Sequence, residues 1–211
     1  MSMINWDKFR EQSEIFKNNK PFPHMFINGP LKQDVYDKLL SEWPSDDKFK
    51  FVKQTMKRYH HGPSRYFEDD VQHNHHFPDL SETWNKFAEY VTSDEYMKNL
   101  GEITGLELSQ LTEFSLVDGR KGDYIHPHVD TSAGQYDNAK ISSIYYFSKN
   151  WKKEYGGATC ILNGSSYDDI VYEPEDLDNS YLAFMQKENA WHGYKRIMVN
   201  NHRRAVLVTH G

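Results

Sequence analysis

Residues 141–147 read Ile-Ser-Ser-Ile-Tyr-Tyr-Phe, a short run rich in β-branched and aromatic side chains. Runs of this composition are typical of β-strands. Further short runs of the same kind follow Gly105 and are separated by turn-forming residues: 111–117, 158–162, 169–173, 181–185 and 204–209. Many short strands at regular spacing predict a two-sheet sandwich or jelly roll for residues 106–211.

The first 105 residues are predicted to form a helix-rich flank. Apolar side chains recur at helical spacing in four segments: 5–19, 30–44, 80–91 and 95–103. A strand is expected at 22–28, and residues 51–77 are interpreted as loops with room for one strand. Thr92 and Glu95 have the spacing of a capping box before the last helix, which Gly105 is expected to end. Residues 1–211 are therefore predicted to form a single, mainly β domain, in which the N-terminal helices buttress one sheet.

Composition excludes several classes of partner. The chain has 31 acidic and 25 basic residues, a formal charge of -6, so it lacks the basic field that nucleic-acid binding requires. No window approaches the roughly 18 apolar residues of a membrane-spanning helix. Cys160 is the only cysteine, which rules out an internal disulfide, and residues 1–6 lack the apolar stretch of a signal peptide. We therefore expect a cytoplasmic protein that binds neither membrane nor nucleic acid.

The segment 122–130 contains a candidate metal-binding pair. His128 and Asp130 are two residues apart, so along an extended chain both side chains point to the same face. The pair alone carries little weight, because 11 histidines and 17 aspartates give 11 × 17/211, about 0.9, such pairs by chance. A second histidine, His192, follows 64 residues later, and Arg203-Arg204-Ala205 then opens the last expected strand. Two histidines and one carboxylate are the ligand set of non-haem iron(II) oxygenases.

Over roughly residues 111–209 the sequence resembles the 2-oxoglutarate-dependent oxygenases of the prolyl 4-hydroxylase type. The likeness is carried by residues 122–130, by Ser143-Ile144-Tyr145-Tyr146-Phe147 with Trp151 and Gly156-Gly157 after it, and by 192–208. A weaker likeness extends into residues 20–44. The resemblance implies a double-stranded β-helix, the distorted jelly roll that cupins share.

The resemblance also implies which residues do the chemistry. It places the iron(II) ligands at His128, Asp130 and His192 and the 2-oxoglutarate-binding arginine at Arg203. A guanidinium can pair bidentately with the distal carboxylate of that co-substrate. On the last strand Arg203 shares a face with Ala205, at a position where other family members carry serine, whereas Arg204 is interpreted as a solvated surface charge. Tyr146 matches a tyrosine that contacts the same carboxylate in some branches, and is equally consistent with a buried core residue.

The implied reaction is oxidative decarboxylation of 2-oxoglutarate to succinate and carbon dioxide, coupled to hydroxylation of a C–H bond. Iron(II) is the implied metal, 2-oxoglutarate and O2 are the co-substrates, and ascorbate is a further candidate cofactor. The expected substrate is a prolyl residue in a peptide or protein, with an unknown small molecule as the alternative. Tyr124, His126 and Trp191 are candidates for the substrate-binding rim, although Trp191 is also explained by core packing beside His192.

Two other functions remain open at this stage. His126 and His128 also form the His-x-His of cupin metal sites, and a cupin-like metalloenzyme would need no 2-oxoglutarate; residues 130–136 lack the glutamate of that pattern, and Arg203 weighs against it. A jelly-roll module that binds without catalysis is the other. The cluster His73, His75 and His76 is more typical of a solvated loop than of a second metal site.

Overall fold

The computed structural model describes residues 2–52, 57–60, 77–130 and 140–211, with the backbone alone for 57–60. In these residues the strands are β1 (His24–Asn28), β2 (Phe49–Val52), β3 (Lys57–His60), β4 (Leu111–Gly119), β5 (Ile125–His128), β6 (Ile141–Phe147), β7 (Thr159–Leu162), β8 (Ile170–Tyr172), β9 (Asp178–Met185), β10 (His192–Tyr194) and β11 (Arg203–His210). The α-helices are α1 (Trp6–Glu11), α2 (Ser13–Asn18), α3 (Gln33–Ser41), α4 (Glu82–Val91) and α5 (Asp94–Thr104).

The described strands form two antiparallel sheets. The large sheet has the order β1-β9-β6-β11-β4-β3-β2, and the small sheet has the order β5-β10-β7-β8. Strands from the first half of the chain therefore complete both edges of the large sheet, with β1 paired to β9 and β3 to β4. Apart from β2–β3, β3–β4 and β7–β8, neighbouring strands are not consecutive in the chain, so the chain crosses repeatedly between the two sheets.

The helices cover the outer face of the large sheet. Alternate residues of its strands, such as Phe114, Tyr145 and Val206, belong to one buried apolar cluster with side chains from every helix. The helical members of that cluster include Phe9, Phe16, Tyr36, Leu39, Trp84, Phe87, Tyr96 and Leu100. This packing is the buttress that the sequence predicts. None of the helices in the described residues is long and apolar enough to cross a membrane.

The inner face of the large sheet packs against the small sheet. Ile144, Phe184 and Ala205 from the large sheet share a second apolar cluster with Ile161 and Tyr194 from the small one. Two facing antiparallel sheets with crossing connections form a double-stranded β-helix, so the expected fold class is confirmed. The space between the sheets is where polar side chains on these inner faces meet.

The strand predictions for the second half are largely confirmed. Strand β6 has the predicted bounds, and the other five expected runs agree with β4, β7, β8, β9 and β11 to within three residues at each end. The sequence did not predict β5 and β10, which have only four and three residues. Strands this short show too little alternation to be recognised.

The helix predictions need three corrections. The helix expected over 5–19 is two helices, α1 and α2, separated at Gln12. The helix expected from Pro30 begins only at Gln33, because Leu31 forms an isolated bridge with Ile4. The capping box is wrong by one residue: Ser93 caps α5 by accepting a hydrogen bond from the backbone N–H of Tyr96. Thr92 is unavailable because its hydroxyl donates to the carbonyl of Glu89, at the end of α4.

The segment interpreted as loops also contains more structure than expected. It overlaps β2 and supplies β3, and the two pair as a hairpin that extends the large sheet. Gly105 does end α5, with a φ of 76° in the left-handed region. The cluster His73, His75 and His76 lies outside the described residues.

Candidate metal and co-substrate site

The expected metal ligands converge on one point between the sheets. His128 ends β5 and His192 begins β10, and the two residues are directly paired in the antiparallel register. Asp130 follows β5 by two residues. The small sheet thus presents both imidazoles side by side, with ring centroids 4.3 Å apart, and the chain leaving β5 adds the carboxylate.

The distances fit a single bound metal ion. Oδ1 of Asp130 lies 3.3 Å from Nε2 of His128 and 3.5 Å from Nε2 of His192. Ligands about 2.1 Å from a metal and at right angles to each other lie about 3 Å apart. All three ligand atoms lie within 4.8 Å of one another, so limited movements would bring them onto one face of an octahedron, which leaves the opposite positions for other ligands.

Backbone hydrogen bonds orient both histidine rings. Nδ1 of His128 lies 2.8 Å from the carbonyl oxygen of His126, and Nδ1 of His192 lies 2.9 Å from that of Ala190. A carbonyl oxygen only accepts, so Nδ1 must carry the hydrogen in each ring. Nε2 is then the nitrogen with a lone pair for a metal, and it is the atom that faces Asp130.

The carboxylate of Asp130 is held in its ionised form. Burial by itself raises the pKa of Asp130, but in the metal-free protein its electrostatic interactions with His192 and His128 and a hydrogen bond from Gln186 outweigh it. The net effect lowers the pKa of Asp130 well below its usual range. An ionised carboxylate between two neutral imidazole nitrogens is a suitable donor set for a divalent transition metal.

Arg203, at the start of β11, is buried at the same inner face. Only 2% of its surface is exposed. Its Nε donates to the carbonyl oxygen of Gly157 at 2.6 Å, and its Nη2 donates to Oγ1 of Thr159 at 3.1 Å. The guanidinium carbon also lies 4.5 Å from the ring centroid of Tyr194 and 5.2 Å from that of Tyr146.

The charge of Arg203 has no acidic partner in the described part of the chain. A buried cation is normally paired, because removing it from water is costly. Two of its five N–H groups are accounted for by Gly157 and Thr159, which leaves donors that can bind a carboxylate. This arrangement fits an anionic ligand such as a dicarboxylate.

Arg203 and the candidate metal ligands line one cavity of about 80 Å³. His128, Asp130 and His192 line it together with Arg203, Thr159 and Tyr194. The rest of the wall includes a second carboxylate, Glu113, and the hydroxyls of Ser142 and Thr209. The cavity therefore joins a cationic group, a possible metal site and a polar wall in one space.

The remaining predicted site residues do not line this cavity. Tyr146 is buried, its hydroxyl accepts a hydrogen bond from the backbone N–H of Thr159 at 3.3 Å, and it does not line the cavity wall. His126 is exposed, and its ring stands edge-on to that of Tyr124 at 4.8 Å. Trp191 is half-buried and belongs to neither of the two apolar clusters. The structure thus places Tyr146 behind Arg203 and the other three nearer the surface.

Arg204 is not the solvated surface charge expected from the sequence. It points to the helical side of the large sheet, is half-buried, and its guanidinium lies 5.6 Å from the ring centroid of Trp43. The opposite orientations of Arg203 and Arg204 agree with the predicted faces of the strand. The contact between Arg204 and Trp43, just after α3, could not be predicted from the sequence.

Sequence reasoning missed three residues of the site. Tyr194 is two residues after His192 on the same strand, so strand periodicity placed its side chain on the ligand's face. Thr159 is the first residue of β7, opposite Tyr194 in the small sheet. Gln186 continues the inner-face series of β9, in which Phe184 also lies, and a polar residue at that position was the available signal.

A second cluster of possible ligands has another explanation. Asp46, Asp118 and His202 have ligand atoms within 4.8 Å of one another. The guanidinium of Arg120 lies 3.0 Å from Asp118 and 3.3 Å from Asp46, so a cation already pairs with both carboxylates. Because His202 immediately precedes Arg203, this ion-pair cluster fixes the start of β11.

Fold and site together define a double-stranded β-helix protein with a possible two-histidine, one-carboxylate metal centre. Residues 110–209 match a family model described as the 2OG-Fe(II) oxygenase superfamily. The match covers 100 of the 211 residues and confirms the expected resemblance to this superfamily. No curated protein matches the chain by sequence.

Solved structures with the same fold include two prolyl hydroxylases. A Pseudomonas putida prolyl-4-hydroxylase is similar with a TM-score of 0.61 and 12% identity, over 97% of each chain. A Trichoplax adhaerens prolyl hydroxylase in complex with a hypoxia inducible factor peptide has a TM-score of 0.67 and 14% identity, over 97% of this chain and 90% of that one. HygX from Streptomyces hygroscopicus, with nickel and 2-oxoglutarate bound, has a TM-score of 0.63 and 15% identity, over 96% and 86%.

Proposed function

We propose that this protein is an iron(II)- and 2-oxoglutarate-dependent hydroxylase. His128, Asp130 and His192 hold the iron, and Arg203 holds the distal carboxylate of 2-oxoglutarate. The observation that carries the proposal is the shared cavity, in which a buried guanidinium with no acidic partner among the described residues faces the same space as three convergent metal-binding atoms. A structural metal site would not require such an arginine.

The donor set favours iron(II) bound with vacant positions. Two imidazoles and one carboxylate on one face of the metal are typical of non-haem iron oxygenases. When bound, iron(II) with 2-oxoglutarate and O2 supplies the oxidising power for C–H hydroxylation and releases succinate and carbon dioxide. The residues of the chain bind and orient these groups, and ascorbate is proposed as an accessory reductant.

Thr159 and Tyr194 are proposed to complete the co-substrate pocket beside Arg203. The family position that carries serine elsewhere is Ala205 here, which removes one hydroxyl. Oγ1 of Thr159 lies 3.1 Å from Nη2 of Arg203 and lines the cavity, so it can replace that hydroxyl. Tyr146 supports Arg203 from behind through its ring and remains a predicted co-substrate residue.

The substrate proposal is a prolyl residue in a peptide or protein. The fold likeness to two prolyl hydroxylases supports it, one of them in complex with a peptide. Tyr124, His126 and Trp191 would then form the rim on which the peptide lies. The aromatic faces of Tyr124 and Trp191 suit the ring of proline.

A polar small molecule is the second candidate substrate. One observation favours it: the cavity wall includes the carboxylate of Glu113 and the hydroxyls of Ser142 and Thr209, which would bind amine or hydroxyl donors. A structure of HygX with hygromycin B and 2-oxoglutarate bound shows that this fold accommodates such a molecule in that protein.

One assay tests the function and separates the two substrates. The iron-loaded protein is incubated with 2-oxoglutarate and either proline-containing peptides or amine- and hydroxyl-rich small molecules. Succinate release and a gain of one oxygen in the substrate, by mass spectrometry, are measured together. Oxygen gain on proline supports the first candidate, oxygen gain on a small molecule supports the second, and no iron-dependent succinate with any substrate contradicts the proposed function.

A matched variant sharpens the choice of substrate. Glu113→Gln keeps the size of the side chain but removes its charge, and it does not touch the metal ligands or Arg203. A cationic substrate should then lose turnover, whereas a neutral prolyl peptide should not. The substrate-independent consumption of 2-oxoglutarate serves as the internal control.

We also propose that residues 1–211 act as one cytoplasmic domain. Side chains from α1 to α5 share a buried cluster with the large sheet, which supports a single folding unit. A single cooperative unfolding transition would support the domain assignment.

Cys160 is fully buried, and burial raises the pKa of its thiol to about 12, so the thiol is unreactive.

A further inference from the structure

A row of four polar side chains, three of which line the cavity, crosses the inner face of the large sheet. Gln186 follows β9, Ser142 lies on β6, Thr209 on β11 and Glu113 on β4, and these strands are neighbours in that order. The row begins at Asp130, the expected metal ligand. The predicted metal motif does not include the other residues of this row.

Gln186 makes the two short contacts of this row. Its Nε2 donates to Oδ2 of Asp130 at 2.5 Å and to Oγ of Ser142 at 2.6 Å. Beyond Ser142 the contacts lengthen, with 3.4 Å to Oγ1 of Thr209 and 3.4 Å from there to Oε2 of Glu113. The contact between Gln186 and Asp130 is therefore the strongest link between this row and the metal site.

This row of polar side chains requires one group that donates two hydrogen bonds. Asp130 and Glu113 stand at its two ends, and an ionised carboxylate only accepts hydrogen bonds. A chain between two acceptors must contain one member that donates in both directions. The amide nitrogen of Gln186 has two hydrogens and meets that requirement, after which the hydroxyls of Ser142 and Thr209 can each pass a donor toward Glu113.

The same bonds fix which way the Gln186 amide points. Its carbonyl oxygen is buried and has no hydrogen-bond partner in the described part of the chain. Turning the amide over would bring that oxygen against the carboxylate of Asp130, so the unsatisfied oxygen is tolerated. The side chain is 9% exposed, and water has little access to compete for these bonds.

We infer that Gln186 is a positioning residue for the metal ligand Asp130. By engaging Oδ2, it leaves Oδ1 directed at Nε2 of both His128 and His192, which are 3.3 and 3.5 Å away. The carboxylate is thereby held to bind a metal through one oxygen. This inference rests on the proposed metal site and adds a residue that the family motif does not include.

Titration with cobalt(II) alone tests the inference, because the absorption spectrum of bound cobalt(II) reports coordination number and geometry. Gln186→Leu removes both donors and should weaken cobalt(II) binding on the order of 10- to 100-fold, as loss of an outer partner of a ligand does. The spectrum of the bound ion should also change, since Asp130 becomes able to bind through both oxygens. Ser142→Ala is the matched control. It removes the hydrogen bond between Gln186 and Ser142 but keeps the one between Gln186 and Asp130, so cobalt(II) affinity should fall much less than in Gln186→Leu.

Each outcome decides the matter. If the wild-type protein binds no cobalt(II), both the proposed metal site and this inference fail. If it binds while Gln186→Leu shows the same affinity and spectrum, or Ser142→Ala loses as much as Gln186→Leu, the inference alone is overturned. Should Gln186→Leu not fold, by circular dichroism, Gln186→Glu replaces it, because that side chain keeps the size but cannot donate twice; wild-type affinity and spectrum in that variant would also overturn the inference.

Discussion

Oδ1 of Asp130 lies 3.3 Å from Nε2 of His128, a residue only two positions earlier in the chain. The last residue of β5 and the second residue after the strand therefore provide two of the three proposed ligands without long-range packing. We expect Asp130→Ala to weaken iron(II) binding by at least the roughly 10- to 100-fold seen when an outer partner is lost. Turnover of 2-oxoglutarate should disappear with it. Iron binding by titration and succinate release measure the two effects.

The fold should survive this change, because the apolar clusters on both faces of the large sheet do not include Asp130. Circular dichroism of the same sample is the control. An Asp130→Ala protein that consumes 2-oxoglutarate at the wild-type rate would show that the ligand assignment is wrong.

Arg203→Ala should strongly raise the concentration of 2-oxoglutarate needed for turnover. Leaving a buried carboxylate without its partner costs about 3 to 5 kcal/mol. That corresponds to roughly 100-fold or more in affinity. The measurement is the 2-oxoglutarate dependence of succinate release.

Arg204→Ala is the matched control for that prediction. Arg204 lies on the opposite face of β11, over the ring of Trp43, so its removal should reduce packing but leave 2-oxoglutarate affinity unchanged. Equal losses of affinity in the two variants would contradict the assignment of the strand faces.

Much of this arrangement could be predicted from sequence because strands alternate. The spacing of His128 and Asp130 and the alternation of Arg203, Arg204 and Ala205 each fix a face without knowledge of the fold. Strand β6 was predicted with its exact bounds for the same reason. Local periodicity thus determines where a side chain points once the strand is recognised.

Features that depend on pairing between distant strands could not be predicted. Gln186 reaches Asp130, which is 56 residues away in sequence, only because β9 and the end of β5 face each other across the cavity. Arg204 meets Trp43 across an even longer separation. Whether Ser93 or Thr92 caps α5 could not be predicted from the sequence either, because the answer depends on where α4 ends.

The corrected cap gives a stability prediction. Ser93→Ala should lower the free energy of unfolding by about 0.5 to 2 kcal/mol, since the backbone N–H of Tyr96 loses its acceptor. Thr92→Ala should cost less than about 0.5 kcal/mol, because its hydroxyl bond is exposed. Urea unfolding of both variants makes the comparison. A larger loss of stability in Thr92→Ala than in Ser93→Ala would instead support Thr92 as the cap of α5.

Stability should fall as the pH is lowered, in part through His210. Burial lowers the pKa of His210 from 6.5 to about 4, and its Nε2 donates to the carbonyl of Val91. The unfolded chain therefore binds a proton below about pH 6.5 that the folded protein takes up only near pH 4. Stability is lost across that window, by at most about 3 kcal/mol, and the loss levels off below it.

His210→Gln isolates this contribution, because glutamine can donate to Val91 but does not titrate. Urea unfolding of the metal-free proteins should show a shallower decline between pH 6.5 and 4 in the variant. Other titrating groups, including His24, whose pKa burial also lowers, are common to both samples. Identical slopes in the two proteins would rule out the proposed role of His210.

The central claim is that one cavity holds iron through His128, Asp130 and His192 and holds 2-oxoglutarate through Arg203. Calorimetric titration of 2-oxoglutarate into the protein without oxygen, with and without iron(II), tests it most directly. We expect tight binding that requires iron(II) in the wild-type protein and is lost in both Asp130→Ala and Arg203→Ala. Binding of equal strength without iron, or unchanged binding in either variant, would contradict the claim.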